Sequence, residues 1–131
     1  MCKCSFVMGN LRFVECLYLL VCLGLKLCVC QRCYNYNYNG LTDFCISQPL
    51  ARLGAEVVGV DASSRNIHAA LRHASHDPLV AKRVQYRCTT VEELADEEPE
   101  SFDCVVASEV IEHVTDKDTF ISATSQLVKV G

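Results

Sequence analysis

At 131 residues the chain has room for one domain of ordinary size, and with half its residues hydrophobic it is not a disordered tail. Twelve Lys and Arg against sixteen Asp and Glu give a formal charge of −4 without any basic cluster, which excludes a phosphate-neutralising surface and so nucleic acid as a partner. The charge is uneven: the first 45 residues carry four basic and two acidic side chains, leaving eight basic and fourteen acidic for the rest.

Cysteine usage marks the same division. Cys2, Cys4, Cys16, Cys22, Cys28, Cys30, Cys33 and Cys45 lie in the front part, and only Cys88 and Cys104 follow. The back part therefore reads as reduced and intracellular, with Cys104 as a small buried hydrophobe. In the front, residues 13–30 (FVECLYLLVCLGLKLCVC) are strongly apolar, yet Glu15 and Lys26 leave only ten uninterrupted residues. A bilayer span needs about twenty. Lys3 and Arg12 precede this run as in a secretory signal, but no small-residue cleavage site follows, and no Arg-rich amphipathic presequence is evident. Cys28, Cys30 and Cys33 spell C-x-C-x-x-C, an incomplete zinc motif with Cys45 as the one nearby fourth ligand. Residues 34–40 (YNYNYNG) are low-complexity and read as linker. Residues 1–47 are thus expected to be a Cys-rich leader and linker without a packed role, and residues 48–131 the domain.

From Gln48 the pattern becomes regular. A short helical stretch over residues 49–53 is closed by Gly54, where a left-handed cap is wanted, and the strand Glu56–Asp61 follows. Asp61-Ala-Ser-Ser supplies capping oxygens for a helix over residues 66–73, with Ile67, Ala70 and Leu71 at core spacing. Asp77-Pro78 breaks that helix, and a connecting stretch leads to a strand at Val84–Cys88. A short acidic helix over residues 91–95 and a turn precede the apolar run at residues 102–107, in which Asp103 is the one polar residue. Residues 117–128 form the last helix, with Phe120, Ile121, Leu127 and Val128 as packing positions. Alternating strand and helix indicates an α/β fold built on a doubly wound parallel sheet.

Two strand ends carry the chemistry. Asp61 closes E-V-V-G-V-D, the position from which a carboxylate accepts hydrogen bonds from the hydroxyls of a nucleoside ribose; the same oxygens would serve a helix N-cap. The second is S-F-D-C-V-V-A-S-E-V-I-E-H-V at residues 101–114. A helix starting near Ser108 would put Glu109, Glu112 and His113 at i, i+3 and i+4, on one face. Two carboxylates and an imidazole can hold a divalent metal and leave positions open for substrate oxygens; the alternative is a solvated, acidic helix start.

Residues 48–131, above all P-L-A-R-L-G-A-E-V-V-G-V-D, D-P-L-V-A-K-R-V-Q-Y-R and F-D-C-V-V-A-S-E-V-I-E-H-V, resemble the ubiquinone biosynthesis O-methyltransferases, a mitochondrial and bacterial family of class I S-adenosylmethionine-dependent enzymes. The resemblance implies that Asp61 binds the cofactor ribose, that Ser108 lies against the cofactor, and that Glu109, Glu112 and His113 bind Mg2+ or another divalent cation. It also implies a polyprenylated catechol substrate, a ubiquinone biosynthesis complex, and peripheral association with the matrix side of the mitochondrial inner membrane. His113 has a second possible role as general base, since its ordinary pKa suits proton transfer near neutrality.

The departures matter as much. Family members carry D-x-G-C-G-x-G after the first strand, where L-T-D-F-C-I-S-Q stands here. The expectation is a partial Rossmann-like sheet lacking the first strand, its Gly-rich loop and the C-terminal strands, as in a truncated or alternatively spliced form. No register suggests itself by which the front segment would replace the missing middle strand. Two functions stay open: methyl transfer of the family type, and a catalytically inactive remnant acting in interaction or regulation.

Overall fold

Lys26, which interrupts the apolar leader in the sequence, begins a central strand. The structure, a computed structural model, describes residues 5–7, 26–31, 46–108 and 110–130; the remaining expectations for the leader, for Cys33 and Cys45 and for the linker lie outside them. In chain order the described elements are β1 (Ser5–Val7), β2 (Lys26–Gln31), α1 (Ser47–Arg52), β3 (Glu56–Asp61), α2 (Ser64–Ser75), α3 (Pro78–Arg83), β4 (Val84–Cys88), α4 (Val91–Glu97), β5 (Cys104–Ser108) and α5 (Lys117–Leu127). The strands form one sheet in the order β1-β5-β2-β3-β4, and every pair is parallel.

The expectation that the front segment would find no register is therefore overturned. Lys26 to Cys30 pair with Glu56 to Val60, and Leu27 to Gln31 pair with Cys104 to Ser108. A strand buried between two neighbours needs backbone groups to match and residues suited to an apolar layer, and K-L-C-V-C-Q supplies both. Its first residue is fastened three ways. The Lys26 N–H donates to Asp103 Oδ2 at 2.8 Å, its carbonyl accepts from the Asp103 N–H at 2.9 Å, and its ammonium lies 3.4 Å from Glu98 Oε2 and 4.8 Å from the Phe102 ring centroid. Asp103, the odd polar residue of its run, is thus the clasp that joins β5 to β2.

The helices form two layers. On one side α3 contacts both α1 and α2, and on the other α4 packs on α5. Alternation along the strands divides the core accordingly. Val58, Val60, Val105 and Ala107 join Leu94, Phe102, Phe120 and Leu127 under α4 and α5, whereas Val57, Cys104 and Val106 join Leu50, Ala51 and Ala55 under α1. Gly59 faces the α1 layer: a Cβ there would lie 2.5 Å from the Tyr86 ring, so only glycine lets that ring cross β3. The Tyr86 hydroxyl then shares a 2.9 Å hydrogen bond with the fully buried Ser47 Oγ.

The helix boundaries follow local chemistry. Gly54 takes φ 110°, its N–H donates to the Ala51 carbonyl and the Ala55 N–H to the Leu50 carbonyl, closing α1 in a Schellman motif. The stretch after Asp77-Pro78 is helical rather than a plain connection, because the Asp77 carboxylate accepts from the Leu79 and Val80 N–H groups and Pro78 stands where a helix tolerates it. Thr90 and Glu93 build a capping box for α4. Ile67 and Ala70 are buried as expected, together with Ala74, but Leu71 is exposed; likewise Phe120, Ala123 and Leu127 face inward on α5 while Ile121 faces out. In both helices the buried stripe is narrow, and the outlier sits one residue beside it.

Candidate functional site at the carboxyl edge of the sheet

Parallel sheets gather their ligand-facing residues where the strands end. Val60 and Ala107 both pair with Cys30, so the residues that follow them, Asp61 and Ser108, finish β3 and β5 at the same level with β2 between. Two inter-strand steps put their backbones roughly 10 Å apart. The chain runs from β2 outward through β3 to β4, then crosses to β5 on the other side of β2, so this edge contains the reversal of strand order at which such sheets bind ligands.

The Asp61 carboxylate is held by its own helix. Oδ1 accepts from the Ser63 N–H at 2.7 Å and Oδ2 from the Asn66 side-chain amide at 2.8 Å. Asp61 is therefore not the N-cap of α2. That place belongs to Ser63, whose side chain makes no capping bond, and Asp61 closes a turn on the Ser63 amide. An ionised carboxylate offers about four acceptor sites, so both oxygens keep a lone pair for a further donor. The site fits a ribose diol: two acceptors at fixed separation, half-buried, at a strand end. In the sequence the only trace of these two partners of Asp61 is D-x-S with an Asn five residues on.

The acid–acid–imidazole group differs more from expectation. Ser108 ends the strand rather than starting a helix, Ile111–His113 form one 3-10 turn, and the α-helix begins only at Lys117. The cause lies in the residue types. Val110, Ile111 and Val114 are β-branched, and Val110 and Val114 pack on the core, tying down both ends of the turn. The true helix signal is Asp116, which accepts from the Thr119 N–H at 3.0 Å and its hydroxyl at 2.7 Å. The i, i+3, i+4 arrangement on an α-helical face does not form. Glu112 and His113 are exposed, with His113 Nε2 3.9 Å from Glu112 Oε1; Glu109 lies outside the described residues. Among the described residues no three His, Cys, Asp or Glu side chains come together in a metal-binding group. The Glu112 and His113 pair still offers one hard oxygen donor and one imidazole donor, a chemistry that suits several divalent cations.

A family model described as "Methyltransferase domain" matches residues 41–131. The chain belongs to this family. Residues of the chain are 48% identical over 86 positions to the mitochondrial ubiquinone biosynthesis O-methyltransferase of Homo sapiens, covering 66% of this chain and 23% of that protein. The ubiquinone biosynthesis O-methyltransferase of Brucella ovis is 51% identical over 86 residues, 66% of this chain and 33% of that protein. The chain thus spans only a quarter to a third of these relatives, and they bear out the resemblance seen in the sequence. Among solved structures, a magnesium protoporphyrin IX methyltransferase from Synechocystis PCC 6803 with bound S-adenosylmethionine superimposes with a TM-score of 0.66 at 19% identity, covering 89% of this chain and 53% of that one. An arsenic(III) S-adenosylmethionine methyltransferase from Chlamydomonas reinhardtii gives a TM-score of 0.59 at 22% identity, with 82% and 36% coverage. The fold is that of these methyltransferases.

Proposed function

We propose that this chain carries an S-adenosylmethionine-dependent O-methyltransferase function of ubiquinone biosynthesis, directed at a catechol-type hydroxyl of a polyprenylated benzoate or benzoquinol. The observation that carries the reading is the Asp61 carboxylate, braced at a strand end level with Ser108, in a chain whose relatives bear that name. Asp61 accepts the two ribose hydroxyls on the lone pairs its local bonds leave open, and Ser108 lies against the cofactor. When bound, S-adenosylmethionine supplies a sulfonium methyl for in-line attack by a phenolate oxygen. Glu109, Glu112 and His113 hold Mg2+ or another divalent cation, which when bound favours the phenolate and orients the catechol oxygens. Without a cation, His113 takes the hydroxyl proton as general base, a role its exposed imidazole permits. The relatives' names support a mitochondrial location, and the resemblance supports the matrix side of the inner membrane and a ubiquinone biosynthesis complex as partner.

Calorimetric titration of the purified chain with S-adenosylmethionine tests the reading. Binding in the micromolar range that Asp61→Ala abolishes is expected. Saturable binding unaffected by Asp61→Ala would overturn the ribose assignment, and absence of binding would support the catalytically inactive remnant instead.

A further inference from the structure

Resting on the ribose-binding reading of Asp61, we propose that Asn66 is the positioning residue of the cofactor site: its side-chain amide sets the carboxylate plane and so decides whether both oxygens can meet a ribose diol. Asp61 ends β3 on a side chain with two rotatable bonds, and a single bond to the Ser63 N–H at 2.7 Å leaves the carboxylate free to swing about that oxygen. The second bond, from Asn66 Nδ2 to Oδ2 at 2.8 Å, removes that freedom. Asn66 reaches Asp61 because it lies in the first turn of α2, and the buried Ile67 beside it fixes the helix against the sheet. The donor is neutral, so it orients the carboxylate while leaving its negative charge uncancelled for an incoming hydroxyl pair. An ammonium or guanidinium in the same place would compete for that charge. Among the described residues, the other titratable groups around this corner are Arg65, next to Asn66 on α2, and Cys88, which pairs with Asp61 in the β3–β4 register and donates its thiol to the Ala62 carbonyl at 3.6 Å.

The inference makes a sign-specific demand on one near-isosteric replacement. In Asn66→Asp the introduced carboxyl faces Asp61 Oδ2, so two carboxylates share one site and the pair holds a proton more tightly than either alone. Protonated, the new group donates a hydrogen bond much as the amide does. Ionised, it repels Asp61 and turns it.

Calorimetric affinity for S-adenosylmethionine is measured for the full chain, Asp61→Ala, Asn66→Ala and Asn66→Asp from pH 8 to pH 6, with a thermal melt of each. Asn66→Ala should weaken binding about five- to tenfold, the loss of one orienting hydrogen bond. Asn66→Asp should bind more weakly still at pH 8, and the ratio of its affinity to that of the unaltered chain should rise as pH falls. A merely structural Asn66 would change the melts but leave that ratio flat. If Asp61→Ala loses binding while both Asn66 variants bind like the unaltered chain, or the ratio stays flat, the positioning role is refuted and the ribose reading survives. If Asp61→Ala binds normally, the ribose reading itself has failed.

Discussion

Replacing Asp103 with Ala should loosen the strand that completes the sheet, by an amount that can be worked from its two contacts. The carboxylate is half-buried, accepts the Lys26 N–H at 2.8 Å and meets the Lys129 ammonium at 2.9 Å. A hydrogen bond to a charged acceptor contributes about 1.5 to 3 kcal/mol. The Lys129 pair is more exposed and adds roughly 0.5 kcal/mol. Asp103→Ala should therefore cost about 2 to 3 kcal/mol, and Asp103→Asn, which keeps an acceptor for the Lys26 N–H, about 1 kcal/mol. In urea, with a slope of about 1 to 3 kcal/mol per M, the Ala midpoint should fall by roughly 0.7 to 3 M. The pH dependence supplies an independent check. Burial raises the Asp103 pKa, but the bonds from Lys129 and from the Lys26 N–H outweigh it and hold the carboxyl below its ordinary value. Stability from a depressed carboxylate is present above the unfolded pKa, near 4, and is lost as pH falls through the folded value. The gap between the unaltered chain and Asp103→Ala should thus be full at pH 7 and close on acidification below about pH 4. Equal midpoints for the Ala and Asn variants, or a gap that persists in acid, would refute the clasp.

Gly59→Val should cost about 2 to 4 kcal/mol by thermal melt, because it displaces the Tyr86 ring and breaks the bond to Ser47, whereas Tyr86→Phe should cost only about 1 kcal/mol. Thr90→Ala removes one half of the capping box on α4 and should lower stability by about 1 kcal/mol in urea titration. The Glu98 carboxyl is held below its usual range, first by its hydrogen bond from Arg87, against burial, and then by the charges of Arg87 and Lys26. Arg87→Met should therefore lower stability at pH 7 by about 1 kcal/mol and leave it unchanged at acid pH, where Glu98 is protonated in both chains. Glu112→Ala, and equally Glu109→Ala, should weaken Mg2+-dependent methyl transfer about tenfold or more if these side chains hold the cation; turnover unchanged across a Mg2+ titration would remove the metal assignment.

What the sequence discloses is uneven for physical reasons. Glu56–Asp61 is legible to the residue because a β-branched run just after a cap glycine admits few other conformations, and Val84–Cys88 because it is closed by a helix-capping threonine soon after. Asp61 stands out as a candidate because it ends a buried parallel strand, at the edge where such sheets bind ligands. The strand Lys26–Gln31 is hidden, because Lys26 reads as a break in an apolar leader until its clasp on Asp103 is seen. That contact spans 77 residues of sequence, and no local pattern encodes it. The turn at Ile111–His113 is obscured differently. Its acidic residues resemble a helix start, but the valines beside them are drawn into the core and the stronger cap at Asp116 takes the helix.

The middle position of a parallel sheet and the loop that follows it make unequal demands on sequence. The strand must offer matched backbone groups and enough apolar volume, and several residue types meet that need, so a Cys-rich leader can supply it. A loop in which backbone must approach a cofactor demands glycine at set places, because any Cβ would stand in the way. After Gln31 the sequence reads R-C-Y-N-Y-N-Y-N-G, with one glycine at its end, and does not repeat the D-x-G-C-G-x-G of the enzymes it resembles. The central strand and the glycine cradle are therefore separable in this chain: the first is rebuilt by the leader, while the second has no counterpart in the residues that follow it. On the function proposed above, recognition of a nucleoside cofactor would then rest on the other side of the sheet edge, at Asp61, whose carboxylate is braced by the Ser63 N–H and the Asn66 amide.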